Sequence, residues 1–238
     1  MENAIYHEKF LIESDYVDCK KECRLSSLLR LFQEIAIHHL ESIGFGDSLI
    51  RKKGLHWVVA RYHAEIVRMP RYEETIRIET HAAPARGPLF PRYFDVYSNE
   101  NERIIRAGSV WALVDESTRS MIIPSAYDIQ DFGELTGEEI AFPLSLRLED
   151  KGEKKIIDAS YSLCDMNGHL NNCAYLDVLE NLIPISFLKS NSPSSLDIQY
   201  KKEIMLGESI PVTFDFDSGS YCFYSDYFTS KIAFKKTN

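Results

Sequence analysis

Residues 164–181 read CDMNGHLNNCAYLDVLEN, with Asp165, Asn167 and His169 on alternate positions just ahead of an apolar repeat. If this segment is extended, side chains two apart share a side. A carboxylate, a carboxamide and an imidazole would then face one place, with Gly168 allowing close approach of backbone or ligand. An imidazole changes charge near neutrality and can take a proton from water. The first N–H groups of a helix beginning near Asn171 would lie beside it, with partial positive charge suited to a developing oxyanion. Glu203 falls on a predicted strand further on, where Lys201 and Glu203 face one side and Tyr200 and Lys202 the other. A glutamate near His169 would fix its tautomer or share in activating water.

The same stretch has structural readings. Asn-Gly is a common turn, and Asn171-Asn172 is a good helix cap. A calcium loop also starts Asp-x-Asn, but Leu170 and Leu176 stand where its glycine and glutamate would be needed. Cys164, His169 and Cys173 do not follow zinc-ligand spacing. A nucleophile elbow, a P-loop and a dinucleotide fingerprint are absent, so no metal or cofactor is expected. Nothing marks Cys164 or Cys173 as a lowered-pKa thiolate. His38, His39 and His63 read as satisfied structural histidines, and Trp57 and Trp111 as core or groove lining.

These residues need elements to position them. LSSLLRLFQEIAIHHLESIG places Leu25, Leu28, Leu29, Phe32, Ile35, Ala36, His39, Leu40 and Ile43 on one helical stripe. Ser26 or Ser27 would cap it and Gly44 would end it. Period-two patterns then predict antiparallel strands over 55–67, 75–83, 89–98 and 103–115. Periodicity is lost over 131–154, which reads as a linker. Beyond it the order recurs: a strand at 155–162, a helix over about 171–183, then strands near 195–204, 209–217, 221–228 and 230–235. Asn171 or Asn172 would cap this helix and Pro184 would stop it. Tyr62, Glu65 and Ile66 align with Tyr200, Glu203 and Ile204, which suggests a repeat. The economical architecture is α+β: two helix-plus-sheet units, 1–130 and 155–238, whose sheets can pair edge to edge.

The 238 residues, 45% hydrophobic and 26% charged, suit a soluble globular chain rich in sheet. A net charge of -9 argues against general affinity for nucleic acid. The start MENAIYHEKFLIESDY lacks a signal-peptide pattern, and no apolar run approaches a membrane span. Five cysteines with no CxxC pair fit reduced thiols in a cytoplasmic protein.

DMNGHLNNCAYLDVLENLIP followed by LDIQYKKEI resembles the acyl-ACP thioesterases of plants and bacteria, which carry two hotdog units in one chain. Their Asp-x-Asn-x-His-x-Asn-Asn-x-x-Tyr stretch is matched by Asp165, Asn167, His169, Asn171, Asn172 and Tyr175. Their Tyr-basic-basic-Glu strand is matched by Tyr200, Lys201, Lys202 and Glu203. LLRLFQEIAIHHLESIGFG and HWVVARYHAEIVRMPRYEETIRIET are similar to their N-terminal half. One departure is Ile204, where plant members often have a cysteine once proposed as nucleophile.

The resemblance implies a tandem double hotdog fold. It implies release of free fatty acid from acyl-acyl carrier protein in fatty acid biosynthesis, without cofactor. Asp165, Asn167, His169 and Glu203 would be the catalytic set. His169 and Glu203 would activate water, and Asn167 with helix N–H groups would hold the oxyanion. Asp165 would orient Asn167 or attack directly to give an anhydride. SDYVDCKKECR replaces the motif in the first half, implying one site per chain, with the N-terminal unit supplying an apolar acyl groove. Expected partners are acyl carrier protein and a second copy of the chain in a homodimer. Because the carrier is also acidic, docking would use a local basic patch such as Lys201, Lys202 or Arg51–Lys53. The competing expectations are an acyl-CoA thioesterase of the same fold and a non-catalytic acyl-binding regulator.

Overall fold

Leu25, Leu28, Leu29, Phe32 and Ile35 are all buried, as a one-sided apolar stripe requires. In the computed structural model of the chain, which describes residues 5–124, 129, 133 and 140–237, they lie on α1 (Leu25–Ser42). The expected helix forms, but Arg24 occupies its N-cap and no side chain caps it. Ser26 instead donates from its Oγ to Asp177. Gly44, at φ +78, ends the helix as expected. A short helix not foreseen, α2 (Asp47–Lys52), follows. Six residues with one buried side chain, Ile50, are too few to show a stripe.

The first unit's strands are β1 (Tyr6–Leu11), β2 (Leu55–Ile66), β3 (Thr75–Ala82), β4 (Leu89–Tyr97) and β5 (Arg103–Asp115). All but β1 are those expected; β1 is a short edge strand paired with β3. The second unit contributes β6 (Glu153–Asp158), α3 (Ala174–Glu180), α4 (Ile185–Ser190), β7 (Asn191–Tyr200), β8 (Ser209–Asp217), β9 (Ser220–Tyr224) and β10 (Phe228–Lys236). Its helix is shorter than expected, ending at Glu180 ahead of Pro184, which instead forms the N-cap of α4. The expected linker over 131–154 lies partly outside the described residues, and 140–152 has neither helix nor strand.

Among the described residues, ten strands form one antiparallel sheet in the order β1-β3-β4-β5-β2-β7-β10-β9-β8-β6. The two units join at β2 and β7, where Tyr62 pairs Ile198, His63 pairs Asp197 and Ala64 pairs Leu196. The edge-to-edge arrangement is therefore present. The central helices α1 and α3 share one buried core with both halves of the sheet, Phe32 and Ile35 from one and Tyr175 and Leu179 from the other. Arg30 Nη2 lies 2.6 Å from Asp177 Oδ2, tying the helices on their outer side. Among the described residues, no helix is long and apolar enough to cross a membrane.

Candidate active site

The alternation of Asp165, Asn167 and His169 is not extended. A turn closes it: Gly168 N donates to Asp165 O at 3.0 Å, and Asp165 N donates to His169 O at 2.8 Å. The Asp165 carboxylate builds the turn from inside, its Oδ1 accepting from Asn167 N at 2.8 Å and His169 N at 3.4 Å. Asp165 thus orients Asn167 and His169 through their backbones. Gly168 sits at φ +76, and a Cβ there would meet nothing within 4 Å. Its glycine serves the left-handed backbone, not a close approach.

Glu203 does not lie on a strand. Lys201 N and Lys202 N both donate to Tyr227 O, at 2.8 and 3.1 Å, so the ladder of β7 ends at Tyr200. The chain then pairs with the turn: Leu170 N donates to Ile204 O at 2.8 Å and Leu206 N to Gly168 O at 2.9 Å. That pairing sets Glu203 Oε2 at 3.5 Å from His169 Nε2. His169 is 14% exposed and Glu203 44%, so the imidazole is largely covered and the carboxylate is open to solvent. Asn167 is exposed at the tip of the turn.

Two of the N–H groups expected beside the site are already used. Cys173 N donates to Asn171 Oδ1 at 2.9 Å and Ala174 N to Asn171 O at 2.9 Å. Two of the remaining motif residues, Tyr200 and Tyr175, are structural. Tyr200 donates from its hydroxyl to Asn172 O at 2.6 Å, and its ring packs edge-on against Tyr175 with centroids 5.2 Å apart. Among the described residues, no cluster of His, Cys, Asp or Glu could hold a metal ion. Burial pushes the Cys164 thiol up and the Cys173 thiol to about 12, the reverse of a poised nucleophile.

The model of the acyl-ACP thioesterase N-terminal domain matches residues 3–128, and that of its C-terminal domain matches residues 147–233. The chain belongs to the acyl-ACP thioesterase family. It is 27% identical over 218 residues to the oleoyl-acyl carrier protein thioesterase 2, chloroplastic, of Arabidopsis thaliana, covering 83% of this chain and 59% of the relative. It is 29% identical over 220 residues to the corresponding Coriandrum sativum protein, with the same coverage. The chain thus spans about six tenths of the length of these curated relatives. The structure of an acyl-ACP thioesterase from Bacteroides thetaiotaomicron superposes with a TM-score of 0.82 at 22% identity, covering 98% of this chain and 99% of that one. The 12:0-ACP thioesterase from Umbellularia californica gives the same TM-score at 20% identity, covering 100% of this chain and 99% of that one. The fold is the family's double hotdog.

Within this family member, the first unit repeats the site's backbone without its chemistry. Lys20 N and Glu22 N donate to Asp18 Oδ1, as Asn167 N and His169 N do to Asp165 Oδ1. Lys21, at φ +63, takes the place of Gly168. Cys23 N donates to Pro70 O at 2.8 Å, the counterpart of Leu170 N to Ile204 O. These bonds correct the expected repeat register: Met69, not Glu65, is equivalent to Glu203. Glu22 stands where the second unit has His169 and is held by Ser192 Oγ at 2.6 Å and Lys20 Nζ at 3.3 Å. A cavity of about 220 Å³ adjoins this cluster, walled in part by Met69, Glu180 and Phe234. Burial first, then Asp177 and Asp18, raises the Glu180 carboxyl to about 7.

The histidines read as structural do have partners. His38 Nδ1 lies 2.9 Å from Glu8, His39 Nδ1 2.9 Å from Arg92 Nη1, and His63 Nδ1 2.7 Å from Asp197. Arg119 was not singled out from the sequence. It reaches Glu203 from the first unit, with Nη1 at 3.8 Å from Oε2.

Proposed function

We propose that this chain hydrolyses the thioester of a fatty acyl chain carried by acyl carrier protein, releasing free fatty acid. The observation that carries this is the approach of His169 Nε2 and Glu203 Oε2, 3.5 Å apart, on a motif of the thioesterase family. That separation is at the outer limit of a hydrogen bond, so one water can bond to both groups. The pair takes a proton from the water as its oxygen adds to the thioester carbonyl carbon. The exposed Asn167 carboxamide donates to the oxyanion. With Cys173 N and Ala174 N already bonded, this side chain is the donor the proposal relies on. Collapse of the intermediate breaks the C–S bond, and the proton returns to the departing thiolate. Asp165 holds the turn in place.

The acyl chain is assigned to the first unit. An apolar cleft there is walled by Ala36 and Leu40 of α1 and by Trp57, Phe90 and Trp111 of the sheet. β5 links cleft and site, since Trp111 lies in the wall and Asp115, four residues on, opens the turn that carries Arg119 to Glu203. Lys202, exposed beside Glu203, is the cation best placed to meet an acidic carrier.

The test is hydrolysis of a panel of acyl-acyl carrier proteins and the matching acyl-CoAs by wild type, Asn167→Ala, His169→Ala and Glu203→Ala. The proposal expects turnover on the protein-borne substrates and its loss by at least about a hundredfold in His169→Ala with the fold retained. Faster turnover of acyl-CoA would reassign the carrier. No turnover on either, with acyl chains still bound, would replace hydrolysis by an acyl-binding role.

A further inference from the structure

The turn after β5 is built around one residue. Asp115 Oδ1 accepts from Ser117 N at 2.9 Å, Ser117 Oγ at 2.6 Å and Thr118 N at 2.8 Å. Its backbone O accepts from Arg119 N at 2.9 Å, and its N donates to Ser120 O at 3.0 Å. The turn is therefore fixed before Arg119 makes any contact of its own. Arg119 sits at φ +57. Glycine or asparagine occupies such a position at little cost, whereas a side chain with a β-carbon and no local bond costs about 1 kcal/mol. Among the described residues, four other non-glycine positions share this backbone region, Lys21, Glu73, Asn101 and Ser218. Arg119 differs from them in where its side chain goes.

It crosses from the first unit to the second. Its Nη1 lies 3.8 Å from Glu203 Oε2, the same oxygen that lies 3.5 Å from His169 Nε2. Arg119 is 60% exposed and Glu203 44%, so the pair adds little to stability in water. A costly backbone conformation and a stability-neutral contact coincide at the proposed site, which is where retained strain has a use. Glu203 follows the end of β7 and has no ladder to hold it, so its carboxylate needs a partner that fixes its rotamer.

We infer that Arg119 is a positioning residue for the hydrolysis proposed above, holding the Glu203 carboxylate against the His169 ring. The site is then composite. The first unit supplies a charge at the reacting centre as well as the acyl cleft, and each unit is incomplete without the other. Arg119 acts through Glu203 and does not touch the substrate.

The experiment compares wild type, Arg119→Ala, Arg119→Lys, Glu203→Gln and the Arg119→Ala/Glu203→Gln double variant on acyl-acyl carrier protein. Melting temperature and the His169 ring proton resonance are followed at one pH. Arg119→Ala is expected to lower kcat about tenfold with KM within twofold, and Arg119→Lys to recover most of it. On the Glu203→Gln background, Arg119→Ala should change kcat less than twofold, because the carboxylate that Arg119 holds is gone. The His169 resonance should move in Arg119→Ala in the direction it moves in Glu203→Gln, at unchanged melting temperature. Wild-type kcat in Arg119→Ala, or a full tenfold loss on both backgrounds, overturns the inference. If wild type turns over no thioester, the hydrolysis reading fails by itself. The resonance then decides the positioning, and an unmoved His169 signal in Arg119→Ala ends it.

Discussion

Met69 occupies in the first unit the place that Glu203 holds in the second. Each lies one residue before the carbonyl that receives the turn, Pro70 O from Cys23 N and Ile204 O from Leu170 N. Two residues further on, Arg71 bridges Glu22 and Met205 bridges His169. One backbone frame therefore carries an imidazole–carboxylate pair in one unit and a thioether with a salt-bridged glutamate in the other. A thioether cannot act as a base, so the proposal has one reactive site per chain.

The first-unit cluster should matter for folding alone. Glu22→Gln weakens the charged contacts with Lys20 Nζ and Ser192 Oγ in a nearly buried setting. A loss of about 1–3 kcal/mol is expected in denaturant unfolding. Thioester hydrolysis by the folded fraction should be unchanged.

Asp165 can be separated into scaffold and nucleophile. Asp165→Asn keeps an oxygen acceptor for Asn167 N and His169 N, whereas Asp165→Ala removes it. The water route expects Asp165→Asn to retain activity within about tenfold and Asp165→Ala to lose far more. In heavy-oxygen water, the first turnover should place solvent oxygen in the fatty acid. Protein-derived oxygen in that first product would reinstate direct attack by Asp165.

Gly168→Ala should cost about 1 kcal/mol, entirely through the backbone. No atom lies within 4 Å of the added Cβ, so packing contributes nothing. Thermal melts should show this small loss together with a larger fall in activity, since the turn aims His169. Gly168→Asn, tolerated at positive φ, should recover most of both.

The seam between the units should weaken as pH rises. The His63 imidazole is held above its ordinary value of 6.5 chiefly by its hydrogen bond to Asp197, against the opposing effect of burial. A raised imidazole favours the protonated fold, so the stabilisation is complete below about 6.5 and is lost as pH climbs through the higher folded value. Asp197→Asn should cost about 1–2 kcal/mol at pH 5.5 and much less at pH 9, read by thermal melts at the two pH values.

Glu180 gives the same sign from a carboxyl. Its value rises from 4.5 to about 7, so its favourable contribution is complete below 4.5 and is lost by about 7. Glu180→Gln should stabilise the protein at pH 8 by on the order of 1–3 kcal/mol and leave it unchanged at pH 4. Equal effects at both pH values would contradict this.

Residue types and spacing by themselves determined the stripe of α1, strands β2 to β5 and a helix-plus-sheet order in each half, and they nominated Asp165, Asn167, His169 and Glu203 as candidates. Each is legible because periodicity and composition are local, and because the two motifs are family-specific. The alternation at 165–169 was misread because an extended strand and an Asx-stabilised turn share the same residues. Which one forms depends on whether the Asp165 oxygen finds Asn167 N and His169 N. Only the tertiary structure decided that β7 stops at Tyr200, because the carbonyl that ends it belongs to Tyr227, just ahead of the facing strand β10. Only it put Met69 at the position equivalent to Glu203 and brought Arg119 to Glu203. The Arg119 contact depends on the pairing of β2 with β7 across the two units, and no short stretch of chain carries a signal for a partner so distant along it.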